Sequence, residues 1–168
     1  MCSHFVQKEN YSIWLQEQPL DVNSAYSFLI NENCGATSLF VGSTRKTELG
    51  SHGPVGDQVV SLEYSCYPEM AIKLMVEMAE RELISNPSVH RCYIVHRLGL
   101  VRVTEPSIII GCSSESRVHC HQLVLHMLNQ IKSSVPIWKK VNYLNSFGQW
   151  SQKSEAFWLQ RDSSNPST

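Results

Sequence analysis

A stripe of apolar residues, Cys120, Leu123, Val124, Met127, Leu128, Ile131 and Val135, recurs at three- and four-residue spacing and stops at Pro136. That period marks one face of an α-helix, so a helix is predicted over Val118 to Ser134 with that face buried. Such a helix has to lie on an equally apolar surface. The segments before it supply one: Cys92 to His96, Leu100 to Val103 and Ser107 to Cys112 are β-branched or apolar runs, separated by turns at Leu98-Gly99 and Glu105-Pro106. Links this short favour antiparallel pairing.

Upstream, the short elements continue. Tyr11 to Leu15 reads as a strand, and Asp21 as the N-cap of a helix running to about Asn33 and closed by Gly35. Thr37 to Val41 and Val59 to Tyr64 read as strands, and Gly42 to Gly56 between them as a mobile loop rich in glycine and polar residues. Pro68 opens a helix with Met70, Leu74, Met78 and Ala79 at helical spacing, ending near Asn86-Pro87. After Pro136, Ile137 to Tyr143 is extended. The expected fold class is α+β, helices packed on a mostly antiparallel sheet. With no internal repeat or second boundary, one domain over residues 1–168 is expected, its core at about 11–158 and a polar tail at 159–168.

Composition narrows the function. The chain has 168 residues, 42% of them hydrophobic, enough for a sizeable core. Fourteen basic side chains against fifteen acidic ones give no bulk field for nucleic acid, so any anion site has to be local. The start, Met-Cys-Ser-His-Phe, lacks a basic segment followed by an apolar one, and no apolar run approaches the ~20 residues of a membrane span. A soluble, cytoplasmic protein is expected. The six cysteines form no C-x-x-C pair and are expected to be reduced, with Cys34, Cys92, Cys112 and Cys120 acting as small hydrophobes.

The local anion site has an obvious candidate. Lys132-Ser-Ser-Val-Pro-Ile-Trp-Lys139-Lys140 gathers three amines around a helix-breaking proline. Clustered ammonium groups repel one another, and such clusters hold anions or exchange protons. In an extended strand Lys139 and Lys140 point to opposite faces, so at most one faces a given pocket, and Lys139, bracketed by Pro136-Ile137-Trp138, is favoured. Lys132 taken alone reads as a solvated cation at a helix C-terminus, where the dipole favours it. Ser113-Ser114-Glu115-Ser116-Arg117 sits where a strand hands over to the long helix, and reads either as an anion cradle with Arg117 as a fork or as a simple Ser/Glu cap. Arg45-Lys46 could close over an anion from the loop. Cys112, His119, Cys120, His121 and His126 suggest zinc, but at ~100° per residue they do not converge on one point, so no metal is expected. For His96-Arg97-Leu98-Gly99, at the end of a strand, a structural role is favoured.

These residues resemble a known family, the large catalytic subunit of molybdopterin synthase. The matching stretches are Gly35-Ala-Thr-Ser-Leu-Phe-Val-Gly-Ser-Thr-Arg45, Leu62-Glu-Tyr64, Tyr67-Pro-Glu-Met-Ala71, His96-Arg-Leu-Gly99, Ser113-Ser114 with Arg117, and Lys132 through Lys140, collinear from about Tyr11 to Trp158. The resemblance implies an α/β-hammerhead-like fold and an enzyme that adds two sulfurs to cyclic pyranopterin monophosphate, forming the dithiolene of molybdopterin. It implies a small ubiquitin-like partner that brings sulfur as a thiocarboxylate on its C-terminal Gly-Gly tail. A homodimer with one small subunit at each end, a heterotetramer, and no cofactor are further implications. Lys132 and Lys139 match the family's essential lysines, and Arg45, Ser116, Arg117 and Lys140 match its substrate-binding positions. The chain departs from the pattern at three places: Ser116 where the family has His, Val141 where it has Glu, and Ser65 where it has an acidic residue. Those departures motivate a second reading, a weakened relative that acts as a dimeric binding module for the ubiquitin-like partner.

Overall fold

The computed structural model describes residues 4–47, 58–145 and 149–150. In chain order the elements are β1 (His4–Gln7), β2 (Tyr11–Gln16), α1 (Val22–Leu29), β3 (Ala36–Ser43), β4 (Val59–Cys66), α2 (Pro68–Ser85), β5 (Val89–Arg97), β6 (Gly99–Arg102), β7 (Pro106–Ser114), α3 (Arg117–Ser134), β8 (Ile137–Tyr143) and β9 (Gln149–Trp150). They form two sheets, β1-β2-β5-β7-β3 and β6-β4-β8-β9, antiparallel except for the β2–β5 pair. The α+β class expected from sequence is the fold observed.

The first sheet is covered on both faces. Tyr93, Val95 and Ile109 face α1 through Ala25 and Leu29, whereas Cys92, Ile94, Ile110 and Cys112 join the larger core with α2 and α3. This explains why β5 and β7 are near-continuous apolar runs rather than alternating ones. Gly111 marks the closest approach on the α1 side, since a Cβ there would come within 2.6 Å of both Leu29 and Leu39. On α3 the predicted stripe is the buried face: Cys120, Leu123, Val124, Met127 and Ile131 are 0–6% exposed, and Val135 is fully buried. Each such side chain contributes about 1.5–3 kcal/mol of transfer free energy, so the stripe anchors the helix.

Several expectations are corrected. The first helix ends at Leu29, not near Asn33, and Gly35 does not cap it; Ile30, with ψ 127, is the C-cap. The reason is a partner from β5: Arg91 donates to the carbonyls of Phe28 (2.8 Å) and Ile30 (2.9 Å), satisfying the helix end where no further turn forms. Strand β1 escaped sequence reading. β6 leaves its sequence neighbours and pairs with β4 in the second sheet. Left-handed backbone at Gly99 (φ 71) and Thr104 (φ 74) brackets that excursion. Of the stretch read as a loop, Gly42 and Ser43 belong to β3, and residues 48–57 lie outside the described residues, as do the tail at 159–168 and the polar stretch before it from 151. The described cysteines Cys34, Cys66, Cys92, Cys112 and Cys120 are free thiols, and burial pushes Cys66 up to about 11 and Cys92 up to about 12. Among the described residues, no helix is long and apolar enough to cross a membrane.

Candidate functional site

Between the two sheets opens a cleft of about 490 Å³, walled by Phe40 to Ser43 of β3, Arg45 and Thr47 beyond it, Leu62 and Tyr64 of β4, His96 of β5, Ser107 and Ile108 of β7, Lys132 of α3 and Lys139 of β8. Three cations from widely separated parts of the sequence thus share one concavity.

Each arrives by a local device. Lys132 lies in the last turn of α3. Pro136 disfavours helical backbone at Val135, which turns extended (φ −89, ψ 124) and swings the chain into β8. Strand alternation then separates the next two lysines. Lys139 is the cross-strand partner of Tyr64 and faces the cleft; Lys140 is the partner of Glu63 and lies 3.8 Å from its carboxylate, outside the cleft lining. Arg45 follows a register shift in β3 at Gly42/Ser43. There the chain is stitched to the β6–β7 turn by Thr44 N–H to the Glu105 carbonyl (3.1 Å) and Thr104 N–H to the Thr44 carbonyl (2.9 Å). Thr44 is buried and Arg45 exposed, the re-aiming a bulge produces.

The other end of α3 is different. Ser116 is its N-cap by backbone geometry but makes no side-chain cap bond, so the Ser/Glu cap, one of the two readings of this stretch, is not formed. The Ser116 hydroxyl instead lies 3.4 Å from Nδ1 of His119, which is also 3.0 Å from the Ser88 hydroxyl. Arg117 is exposed and, like Ser116, does not line the cleft. The candidate zinc ligands separate as well. His121 meets Ser38 (3.0 Å), His126 meets Glu82 (3.3 Å), and the Cys112 and Cys120 sulfurs face each other at 3.4 Å in the core. Among the described residues, no three His, Cys, Asp or Glu side chains are grouped to hold a metal.

Sequence reasoning missed Tyr64 and undervalued His96. His96 is 1% exposed, bonds the Arg97 carbonyl through Nδ1 (2.8 Å) and meets Tyr64 edge-to-face at 4.9 Å. Its strand end is pinned by Arg97, which donates to the Glu17 carbonyl (3.2 Å) and pairs with Glu105 (3.0 Å). The Arg102 N–H, and after it the Arg97 charge, hold the Glu105 carboxyl below its ordinary range. The signals available were a histidine closing an apolar strand and the place of both residues in family-matching stretches, Leu62-Glu-Tyr64 and His96-Arg-Leu-Gly99.

Known proteins share the sequence pattern and the fold of this chain. Residues 15–134 match the model of the MoaE protein family. The molybdopterin synthase catalytic subunit of Drosophila grimshawi is 38% identical over 149 residues, covering 88% of this chain and 40% of the relative. The chain therefore spans about two fifths of the length of that fruit-fly relative. The catalytic subunit of Taeniopygia guttata is 36% identical over 150 residues, covering 89% and 92% of the two chains. Among solved structures, molybdopterin synthase from Staphylococcus aureus superposes with a TM-score of 0.74 at 26% identity, covering 87% of this chain and 98% of that one. A complex of subunits 1 and 2 of the molybdopterin-converting factor from Helicobacter pylori shares the fold, with a TM-score of 0.67 at 18% identity over 83% of this chain and 90% of that one. The chain belongs to the MoaE protein family.

Proposed function

We propose that this protein is the sulfur-incorporating subunit of a molybdopterin synthase, acting in molybdenum cofactor biosynthesis. The observation that carries this reading is the convergence of Arg45, Lys132 and Lys139 on one cleft. The substrate, cyclic pyranopterin monophosphate, carries a phosphate, and the sulfur donor is a thiocarboxylate on the Gly-Gly tail of a small ubiquitin-like subunit. Two unit anions 4 Å apart repel by about 4 kcal/mol at an effective dielectric near 20. Cations at similar distances offset that repulsion. Lys132 and Lys139 are the catalytic pair, and as ammonium groups they donate protons to oxygens leaving the pterin side chain. Arg45 holds the anionic substrate, and Lys140, whose amine lies 3.8 Å from Glu63 on the other face of β8, has at most a peripheral part in holding it.

Arg117 and Lys132 are fifteen positions apart on α3, a separation of ~22 Å along its axis. One small ligand does not span that distance within one chain. The reading therefore includes a C2 homodimer in which Ser116 and Arg117 of one chain complete the cleft of the other, with one small subunit on each side as a heterotetramer in the cytosol. The complex of two subunits known from Helicobacter pylori supports the partner.

A specific observation favours the second reading, the weakened dimeric binding module. Val141 is 3% exposed, two residues along the same face of β8 as Lys139, so an apolar core residue stands where a carboxylate would orient the amine. One assay separates the two: purified protein, thiocarboxylated small subunit and pterin precursor, scored for dithiolene. Product that disappears in Lys132→Ala and Lys139→Ala supports the enzyme. Tight binding of the small subunit without product supports the module.

A further inference from the structure

His96 is a cleft residue held in place by the fold itself. It ends β5 at 1% exposure, with Leu15 and Ile108 as its register neighbours on β2 and β7. A carbonyl oxygen only accepts, so the 2.8 Å contact between Nδ1 and the Arg97 carbonyl assigns the ring hydrogen to Nδ1, and in the neutral ring Nε2 is the basic nitrogen. Tyr64 packs edge-to-face on the ring and is itself the cross-strand partner of Lys139. The imidazole is thus locked by backbone on one side and by an aromatic ring on the other, in the wall that also carries Lys139. Of the described residues lining the cleft, it is the one whose ordinary titration falls near neutrality.

We propose that His96 is the proton acceptor of this cleft. It takes a proton at Nε2 from a water or hydroxyl bound among the cations. That identity of the reacting group rests on the sulfur-transfer reading. The ring becomes imidazolium and Nδ1–H stays on the Arg97 carbonyl; the deprotonated oxygen forms a C–O bond to the donor's acyl carbon as its C–S bond breaks and sulfur stays on the pterin, and the proton then passes to an oxygen leaving the pterin side chain. The titratable and charged groups that line the cleft with it among the described residues are Tyr64 from β4, Lys139 from β8, Lys132 from α3 and Arg45 beyond β3. Of these, the exposed Lys132 and Arg45 are cations and oppose a positive ring until a bound anion offsets their field. Anion binding therefore readies the ring to accept the proton.

The test uses the full chain with ¹⁵N-labelled histidine and inorganic phosphate as probe, together with the product assay on His96→Asn and His96→Gln. Asparagine retains a donor for the Arg97 carbonyl but has no basic nitrogen at the ε position; glutamine reaches the ε position without basicity. The expected ring carries Nδ1–H at neutral pH, and phosphate raises the pH at which Nε2 becomes protonated. Both variants should bind phosphate as the parent does while product formation slows about 100-fold or more and its acidic limb flattens. An Nε2–H ring at neutral pH, a titration indifferent to phosphate, or a variant with parental rate and pH profile would each overturn the proposal. A parent protein that shows the ring behaviour yet makes no product would retire the sulfur-transfer reading while supporting the proton acceptor.

Discussion

At its C-terminal end α3 delivers Lys132 into a cleft walled by strands of both sheets; at its N-terminal end it presents an exposed Arg117 beside a half-buried Ser116 that caps nothing with its side chain. The helix between them is the same, with the same buried stripe. What differs is the company each end keeps. Around Lys132 the chain supplies a second amine, a guanidinium and a phenol from three other segments, whereas the described neighbours of Ser116 are mainly hydroxyls and an imidazole from His119. A cation finishes a binding site only where other elements converge on it, and on the proposed reading the convergence at Arg117 comes from a second chain.

The comparison can be broken most forcefully at the C-terminal end. Lys132→Ala and Lys139→Ala should each slow single-turnover dithiolene formation by about 100- to 1,000-fold, the scale for losing a charged group that meets developing negative charge. Lys132 is exposed, so an unchanged melting temperature should accompany its loss. If Arg117→Ala in both chains leaves the rate intact, the N-terminal end has no part in the site. Next in size is the helix body joining the two ends. Met127→Ala, at a fully buried position, should cost about 2–5 kcal/mol in denaturant unfolding. Leu125→Ala, at 59% exposure on the same helix, should stay within about 0.5 kcal/mol. Equal costs would contradict the assignment of the buried face.

Smaller effects sharpen the picture. Lys140→Ala should reduce the rate by about tenfold or less, because that amine sits opposite Glu63 on the other face of β8. A loss matching that of Lys139→Ala would put both lysines in the cleft. The smallest effect concerns acid. Glu105 has its carboxyl pKa lowered in the folded state, so its contribution to stability is fully present above the ordinary value of 4.5 and is lost as pH falls through the lower folded value. Melting temperature should therefore fall more steeply below about pH 4.5 in the parent than in Glu105→Gln. Parallel curves would show that the Arg97–Glu105 pair does not tighten the turn behind His96.

Local chemistry was legible in the sequence where a single element decides the outcome. The α3 stripe, its stop at Pro136 and the opposite facing of Lys139 and Lys140 follow from period and strand alternation alone. Elements whose fate depends on distant partners were not legible. The end of α1 is set by Arg91, 61 to 63 residues away along the chain, and no helix-stop residue announces it. β6 pairs with β4 instead of its neighbours because two left-handed residues carry it out of the first sheet and back. His96 was read as structural and Tyr64 as a strand end, and both are buried; only the meeting of two sheets gives their polar edges a cleft to line. The family resemblance supplied Arg45 and Lys132 as a set, which spacing could not have done, since each alone resembles a solvated cation.

The most direct test is to co-express an Arg117→Ala chain with a Lys132→Ala chain and measure dithiolene formation with the thiocarboxylated partner. With random pairing about half of the dimers are mixed, and each mixed dimer holds one cleft with both groups intact, so activity should return to about one quarter of the parent level. If each cleft is built from one chain, every cleft carries a lesion, and the mixture will be as inactive as the two variants alone.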